Sequence, residues 1–341
     1  MVEPIKFIDN ELRVLDQLLL PQEARVIRVK CSKSCFDVIK KMNVRGAPLI
    51  GFTGIYGLAF AALEVSCLKD LKERANFLKS ARPTAVNLCF EIDECLNSLD
   101  KFLTSYQSNL VFQHCIDFVN EKIKQLDLDN KKTANFVISR LKGLYPSKKK
   151  LKVLTICNTG RLACGATGTA LGVISKMHNL NMISNVFACE TRPYLQGSRL
   201  TAYELQSEKI NHSLIPDGAV SHVLRNEKID VVLVGADRIA LNGDTANKIG
   251  TSNLGIIAKN FGVPLFVVAP LSSFDKFCEN GSMIEIEYRD GSELTEINGI
   301  RIAPKDSKGY NPSFDVTEAC FITGIACERG LFHPSEIRGL L

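Results

Sequence analysis

The first half of the chain shows two patterns of apolar residues. Between positions 5 and 30, short apolar runs alternate with polar breaks, as in IKFID, LRVLDQ and ARVIRVK. This alternation predicts a small group of strands, with Pro21 in a turn. From Ser34 to about Leu126, apolar residues recur three and four positions apart. That spacing is typical of amphipathic helices, so this part is predicted to be helical.

From residue 151 the pattern changes to short, continuous apolar runs separated by helical stretches. The runs are LKVLTIC (151–157), ISNVFAC (183–189), DVVLVGA (230–236) and PLFVVAP (264–270). Runs of this kind are typical of parallel strands that are buried on both faces. Strands that alternate with helices predict βαβ units in a doubly wound sheet, whose ligands bind at the carboxyl ends of the strands.

The predicted fold class is therefore α/β. It comprises a Rossmann-like parallel sheet in the C-terminal domain and a smaller, mainly helical N-terminal domain preceded by short strands. We predict the domain boundaries at 1–126, 127–150 for a connecting helix and linker, and 151–341 for the Rossmann-like catalytic domain. The segment LKGLYPSKKKLK, with a glycine, a proline and five lysines, is the predicted surface crossing between the two halves.

Composition narrows the class of protein. The 341 residues are 45% hydrophobic, which excludes a disordered chain, and 42 Lys and Arg against 37 Asp and Glu leave a modest charge of +5. Because that charge is spread along the chain, nucleic acid is not an expected partner. The apolar stretch from Pro48 to Leu63 is interrupted by Thr53 and three glycines. It is shorter than the ~20 apolar residues of a membrane span, so a buried helix and no membrane partner are expected.

The start of the chain and its cysteines bear on the compartment. The first residues, MVEPIKFIDN, contain no apolar run typical of a signal peptide, so a cytoplasmic location is expected. Twelve cysteines are scattered along the chain without a CxxC pair. We expect reduced thiols that pack mostly as small hydrophobic side chains.

Cys157 is a candidate for chemistry because it lies where the first strand of the second half becomes a loop. The sequence there is CNTG followed by RLACGATGTALGVI, in which Gly160, Gly165 and Gly168 would let backbone amides approach an anion. A partly exposed thiol at such a position can have its pKa lowered by backbone dipoles. The alternative is a buried spacer thiol.

Asp237 occupies the equivalent place at the end of DVVLVGA. A carboxyl group at the rim of an apolar sheet can be desolvated enough to stay protonated and act as a general acid. The alternative is a carboxylate that pairs with Arg238 or caps a helix.

Three basic residues lie beside predicted helix starts. Arg45 precedes Gly46-Ala47-Pro48, Arg82 precedes Pro83-Thr84, and Lys248 follows NGDTAN. A helix amino terminus with an adjacent cation favours phosphate, so together the three sites suggest a small phosphorylated substrate. The spacing of His, Cys and carboxylates does not predict a metal site.

The segment ACETRPYLQGSRLTAYEL concentrates polar side chains directly after the second strand. Glu190, Arg192, Gln196 and Arg199 could bind hydroxyl groups of a ligand. They could equally form a structural ion-pair network or a subunit contact.

Long motifs along nearly the whole chain resemble one enzyme family. They are LRVLDQLLLPQE, VRGAPLIG, ARPTAVNL, CNTGRLACGATGTALGVI, ETRPYLQGSRLTAYEL, VGADRIALNGDTANKIGT and NPSFDVT. Together they resemble the S-methyl-5-thioribose-1-phosphate isomerases of methionine salvage. That family shares its fold with the regulatory subunits of a translation-initiation nucleotide exchange factor.

The resemblance implies roles for particular residues. Cys157 matches the family's catalytic cysteine and Asp237 its proton-donating aspartate. The matches to substrate-binding positions are Arg45, Gly46, Ala47, Arg82, Gln196, Asn247 and Lys248. It also implies a homodimer built through the α/β half. From the scattered His, Cys and carboxylates, we expect chemistry that needs no metal or cofactor.

The reaction implied by the resemblance is an aldose to ketose isomerisation of 5-methylthioribose 1-phosphate. Asp237 would donate a proton to the ring oxygen, which requires a raised pKa. Cys157 would act either as the base at C2 or as a group that stabilises a hydride shift. The rival enzymes are isomerases of ribose 1,5-bisphosphate or 5-deoxyribose 1-phosphate. The rival of another class is a non-catalytic sensing subunit similar to the exchange-factor relatives.

Overall fold

The computed structural model describes residues 3–83, 86–102, 105–297 and 299–341. Its internal contacts divide the chain into two compact units. The first comprises Met1–Leu128 together with Gly160–Gly168, and the second comprises Asp129–Thr159 together with Thr169–Leu341. The predicted domains were contiguous in sequence, whereas the structure assigns the glycine-bearing loop after Thr159 to the first unit.

The first unit begins with an antiparallel sheet of order β1-β2-β3. β1 (Ile5–Ile8) and β2 (Glu11–Leu15) are joined by Asp9-Asn10, which have φ of 52° and 56°. Left-handed φ at both central residues defines a type I′ hairpin, which Asp and Asn tolerate. β3 (Val26–Val29) pairs with the other edge of β2. The predicted strand-rich start is confirmed.

Helices follow, as the spacing of apolar residues predicted. They are α1 (Ser32–Lys40), α2 (Ala47–Glu64), α3 (Leu68–Lys79), α4 (Val86–Phe102), α5 (Ser108–Leu144) and the short α6 (Arg161–Cys164). The division between the two units falls within α5, after Leu128.

The core helix of the first unit is α2, which is buried at every position from Leu49 to Ala62. A Cβ atom at Gly54 would lie 2.6 Å from Leu88 Cδ1, and one at Gly57 would lie 2.8 Å from Leu78 Cδ2. Glycine at these positions therefore lets α3 and α4 pack closely against α2. By length and composition α2 could span a membrane, but 78% of it is buried inside the protein, as a core helix would be.

The second unit is built on a sheet with the strand order β15-β14-β10-β7-β4-β5-β6. Its strands are β4 (Leu151–Thr155), β5 (Ile183–Cys189), β6 (His212–Ile215), β7 (Val231–Val234), β10 (Leu265–Val268), β14 (Gly324–Cys327) and β15 (Gly330–Phe332). All neighbouring pairs are parallel except β14 with β15. The four strands predicted from the sequence are confirmed.

Both faces of this sheet are buried. On β7, Val231 and Leu233 join one hydrophobic cluster, while Val232 and Val234 join another. The first cluster includes α7 (Ala170–Asn179) and the end of α5, and the second includes α9 (Val220–Glu227) and α10 (Thr251–Asn260). Burial on both sides explains why the sequence of each strand is continuously apolar.

The strand order places a topological switch point between β4 and β7. From β4 the chain moves outward through β5 to β6, then returns to β7 on the opposite side of β4 and continues to β10 and β14. This is the strand order of Rossmann folds, which bind ligands where the direction reverses. The Rossmann-like α/β prediction is confirmed, and it locates the ends of β4 and β7 at the expected ligand site.

Smaller elements complete the second unit. A short helix, α8 (Ala202–Ser207), follows β5, and an antiparallel sheet of order β13-β9-β8 follows β7. The remaining elements are β8 (Arg238–Ile239), β9 (Thr245–Lys248), α11 (Ser292–Thr295), β11 (Glu296–Ile297), β12 (Ile300–Arg301), β13 (Phe314–Thr317) and α12 (Ile337–Leu340). All twelve cysteines lie within the described residues and are free thiols.

Candidate active site

Cys157 lies two residues beyond the end of β4 in a left-handed conformation, with φ of 62°. Its amide donates to Thr191 Oγ1 at 2.9 Å, and its carbonyl accepts from Thr201 Oγ1 at 2.5 Å. The residue is only 8% exposed. The expectation of a partly exposed thiol was therefore wrong, because side chains of the segment after β5 bond to both sides of the residue.

The segment from Thr191 to Thr201 has an irregular backbone. Thr191 and Leu195 have left-handed φ of 66° and 59°, and Gly197–Thr201 forms a π-helix that leads into α8. A Cβ atom at Gly197 would lie 1.7 Å from the Cys189 carbonyl oxygen, so only glycine fits there. Strained residues and π-helical turns are found preferentially at functional sites.

Gln196 is carried by this segment, one residue before the π-helix. It is 6% exposed, and its Oε1 has no hydrogen-bond partner among the described residues. A buried, unpartnered amide oxygen is unfavourable in the free protein. The position therefore suits an acceptor for a donor group supplied by a ligand.

Arg192 and Arg199, which the sequence also singled out, have internal partners. The Arg192 guanidinium donates to the carbonyls of Pro193, Glu293 and Leu294. The Arg199 guanidinium lies 5.1 Å from the centre of the Tyr194 ring and donates to the Tyr194 carbonyl. These contacts indicate a structural role for both residues.

Asp237 lies in the turn between β7 and β8. Its amide donates to the Ala246 carbonyl at 2.9 Å, and the residue is exposed. The expected desolvated carboxyl is thus not present in the free protein, because the turn projects beyond the buried part of the sheet. The neighbouring Arg238 guanidinium lies 3.6 Å from the Asp275 carboxylate.

Asn247 and Lys248 end β9, and β13 pairs beside them. Asn247 Nδ2 donates to Thr251 Oγ1 at 3.0 Å. Lys248 Nζ donates to the Ser313 carbonyl at 2.8 Å and lies 4.1 Å from the centre of the Phe314 ring. Lys248 lies three residues before α10, which begins at Thr251, and it is the last residue of the strand that pairs with β13.

The amino terminus of α10 already binds a carboxylate. Asp315 accepts from the amides of Gly250 at 2.7 Å and Ser252 at 3.1 Å. Burial raises the pKa of Asp315, although both amides and Lys248 oppose the shift. These two amides are therefore engaged by the protein itself.

In the first unit, the Arg45-Gly46-Ala47 sequence leads directly into α2, as predicted. Arg45 is 7% exposed, and Gly46 has φ of 93°. A Cβ atom at Gly46 would lie 2.3 Å from the Ala163 carbonyl oxygen, so this backbone packs directly on the loop of residues 160–168. In that loop Gly165 packs against Leu49 and Phe52, which gives it a packing role.

Arg82 also belongs to the first unit. It is half-buried in the turn after α3, and its amide donates to the Lys79 carbonyl at 3.3 Å. Thr84, which the sequence placed beside it, lies outside the described residues, and α4 begins at Val86. Arg82 therefore follows one helix rather than directly opening the next.

Sequence reasoning missed the residues that hold this site together. Thr191 and Thr201 bond to Cys157, Asp217 accepts from the amides of Thr191 and Arg192, and Asp315 binds the end of α10. The signal available was the presence of Thr191, Thr201 and Asp315 in the long motifs, whereas Asp217 lies outside them. Their roles depend on contacts between distant parts of the chain, which the motifs do not reveal.

Comparisons with known proteins agree with the fold. The initiation factor 2 subunit family matches residues 43–334. The fold defines a Rossmann-like α/β protein, and the chain belongs to the initiation factor 2 subunit family.

Within the family, relatives named as isomerases match the whole chain. A methylthioribose-1-phosphate isomerase of Natranaerobius thermophilus is 43% identical over 98% of this chain and 97% of its own. The crystal structure of 5-methylthioribose 1-phosphate isomerase from Pyrococcus horikoshii is 33% identical with a TM-score of 0.89, covering 100% of this chain and 95% of that one. The translation initiation factor eIF-2B subunit delta from A. fulgidus is 36% identical with a TM-score of 0.85, covering 98% and 97%.

Proposed function

We propose that this protein is an aldose-ketose isomerase that converts S-methyl-5-thioribose 1-phosphate to S-methyl-5-thioribulose 1-phosphate in methionine salvage. The observation that carries the proposal is the position of two matched residues. Cys157 and Asp237 follow the two strands, β4 and β7, that flank the switch point of the sheet. Similarity to enzymes of this name over the full chain supports the same conclusion.

The phosphate on C1 makes this isomerisation difficult, because the ester blocks the simple ring opening of a free sugar. The bond between C1 and the ring oxygen breaks, and the ring oxygen gains a proton. The hydrogen on C2 moves to C1, and the 2-hydroxyl loses its proton as C2 becomes the carbonyl. The protein must therefore supply an acid at the ring oxygen and support the transfer from C2 to C1.

Asp237 is the proposed acid. The residue is exposed, so the substrate itself must cover the carboxyl and exclude water for Asp237 to act as an acid. Cys157 is already buried, and it acts either as the base at C2 or as the group that stabilises a hydride shift. Burial also keeps water away from the reacting atoms.

Substrate contacts are proposed from the resemblance for both units. In the first unit the proposed contacts are Arg45, Gly46, Ala47 and Arg82. In the second unit they are Gln196, Asn247 and Lys248. In support, Gln196 has an unpartnered buried oxygen that can accept from a sugar hydroxyl. Arginine and lysine are the side chains that bind phosphate most strongly.

A cytoplasmic homodimer built through the α/β half is also part of the proposal. It rests on the resemblance. Gel filtration at micromolar concentration tests it, and a monomer there would contradict the homodimer.

A second candidate function follows from the likeness to the eIF-2B delta structure. It is a non-catalytic subunit that senses a sugar phosphate or nucleotide. Among enzymes, isomerases of ribose 1,5-bisphosphate or 5-deoxyribose 1-phosphate would use the same two residues. The presence of both Cys157 and Asp237 favours catalysis over sensing.

A phosphorus NMR time course with 5-methylthioribose 1-phosphate tests the proposed reaction. The expected result is loss of the aldose phosphate signal and growth of a ketose phosphate signal. Parallel runs with the two rival pentose phosphates measure substrate preference. A folded protein that leaves all three unchanged would support the sensing subunit instead.

A further inference from the structure

We propose that Thr191 and Thr201 are positioning residues that hold the backbone of Cys157 in its left-handed conformation and thereby aim its thiol. The inference rests on the proposed function, because it gives Cys157 the reacting thiol. The hydrogen bonds from which it is argued do not depend on that reaction. It concerns two buried hydroxyl groups that bond to the two polar backbone groups of one residue.

The conformation of Cys157 needs an external support. At φ of 62° a residue with a side chain is crowded against its own backbone, and only glycine adopts this region freely. Such conformations persist where surrounding contacts over-determine them. The relevant contacts are therefore those that bind the amide and carbonyl of Cys157.

Each threonine hydroxyl is oriented by a second bond. Thr191 Oγ1 donates its single proton to the Cys189 carbonyl at 3.0 Å, which leaves a lone pair for the Cys157 amide at 2.9 Å. Thr201 Oγ1 donates its proton to the Cys157 carbonyl at 2.5 Å and accepts from Asn158 Nδ2 at 3.3 Å. Toward Cys157 the two hydroxyls have opposite roles: Thr191 accepts from its amide and Thr201 donates to its carbonyl. These roles cannot be exchanged.

The threonines are themselves fixed. Thr191 is fully buried and Thr201 is 1% exposed. The Asp217 carboxylate accepts from the amides of Thr191 and Arg192, at 2.8 and 2.6 Å. At the other end, Asn158 Nδ2 also donates to Glu204 Oε1 at 2.7 Å, next to the π-helix. The segment from Thr191 to Thr201 also carries Gln196, which is proposed to accept from a sugar hydroxyl. One segment therefore positions both Cys157 and Gln196.

Isosteric variants separate this proposal from a merely structural role. Thr191→Val and Thr201→Val keep the shape and remove the hydroxyl, whereas Thr191→Ser and Thr201→Ser keep the hydroxyl. The measurements are kcat and KM for the isomerisation, and the rate at which iodoacetamide alkylates Cys157, followed on its peptide by mass spectrometry. Thermal unfolding identifies the variants that fold.

The expected result has two parts. The valine variants lose about 10- to 100-fold in kcat, with KM changed far less, because the thiol is misplaced while substrate contacts remain. Their Cys157 alkylation rate changes by about threefold or more, while the serine variants stay near wild type. A structural role alone would lower the melting temperature without these changes.

An unchanged alkylation rate in folded valine variants would overturn the proposal, even if kcat fell. If the wild-type protein converts no sugar phosphate, the proposed function fails, but the alkylation rates still decide the role of the threonines. If the valine variants do not fold, Cys157→Gly and Cys157→Ala provide the test. If residue 157 is held in a left-handed conformation, the glycine variant should have the higher melting temperature of the two. A higher melting temperature for the alanine variant would contradict that conformation.

Discussion

The ends of β4 and β7 flank the same switch point but are built differently. At the end of β4, Cys157 is buried, strained, and bonded by side chains on both sides of its backbone. At the end of β7, Asp237 is exposed in a turn, and its amide donates to the Ala246 carbonyl of β9. Under the proposed function, the Cys157 thiol is positioned before substrate arrives, whereas the proposed acid, Asp237, acquires its environment from the substrate.

This difference predicts where mutations exert their effects. Changes around β4 should affect stability and kcat, because they disturb a structure that exists in the free protein. Apart from the proposed acid Asp237, changes around β7 and β9 should affect mainly KM, because the side chains there are proposed to contact the substrate.

The largest effect is expected at Gly197, on the β4 side. Gly197→Ala would place a Cβ atom 1.7 Å from the Cys189 carbonyl oxygen, and the backbone must shift to avoid it. We expect a loss of about 3 kcal/mol or more in the free energy of unfolding, measured by urea denaturation. Gly143→Ala, in α5 with open space around it, is the matched control and should be neutral or slightly stabilising. Equal stability of the two variants would contradict the close packing.

The next effect is expected at Lys248, on the β9 side. Lys248→Met keeps the apolar stem over the Phe314 ring but removes the charge. We expect KM for the sugar phosphate to rise about 10- to 100-fold, the loss of one charge-assisted hydrogen bond, with stability little changed. Lys259 has the same two kinds of contact, a ring at 5.3 Å and a carbonyl at 2.9 Å. Lys259→Met is therefore the control, and a KM shift as large in that variant would contradict the assignment.

A smaller effect is expected at Gln196, where substitution should raise the free energy of unfolding instead of lowering it. Gln196→Met removes the buried oxygen that has no partner among the described residues. We expect the free protein to gain about 1 kcal/mol in the free energy of unfolding while KM rises. The exposed Gln206→Met should change neither quantity. A Gln196 variant that loses stability would show that the oxygen is satisfied in solution.

The smallest effect is a pH dependence at Asp315. Burial raises the pKa of this carboxyl in the folded protein, so folding favours its protonated form. Its favourable contribution is complete below the unfolded pKa of about 3.9 and is lost as pH rises through the folded value. Asp315→Asn should therefore gain stability relative to wild type as pH increases from 4 to 7 in urea unfolding experiments. The exposed Asp306→Asn should show no such trend, and a trend of opposite sign at Asp315 would contradict the burial argument.

The parts of the fold that sequence patterns predicted are those fixed by local periodicity. The strands β4, β5, β7 and β10 were visible because each is buried on both faces and reads as a continuous apolar run. The start of α2 was visible because Gly46 and Pro48 mark a helix amino terminus within a few residues.

The parts that sequence patterns did not predict depend on partners distant in the chain. The backbone of Cys157 is hydrogen-bonded to the side chains of Thr191 and Thr201, which lie 34 and 44 positions away. Asp315 accepts a hydrogen bond from the amide of Gly250, at the amino terminus of α10, from more than 60 positions away. Its strand, β13, also pairs with the strand that ends at Lys248. Such contacts arise from tertiary packing, which no local pattern encodes.

The central claim is that the ends of β4 and β7 form one reactive centre, and a double-mutant cycle tests it most directly. The phosphorus NMR rate of isomerisation is measured for Cys157→Ser, Asp237→Asn and the double variant, with Cys320→Ser and Asp306→Asn as exposed controls. We predict that each single variant loses about 10²-fold or more, that the double variant is little slower than the slower single variant, and that both controls match wild type. Conversion at the wild-type rate by either folded single variant would contradict the claim.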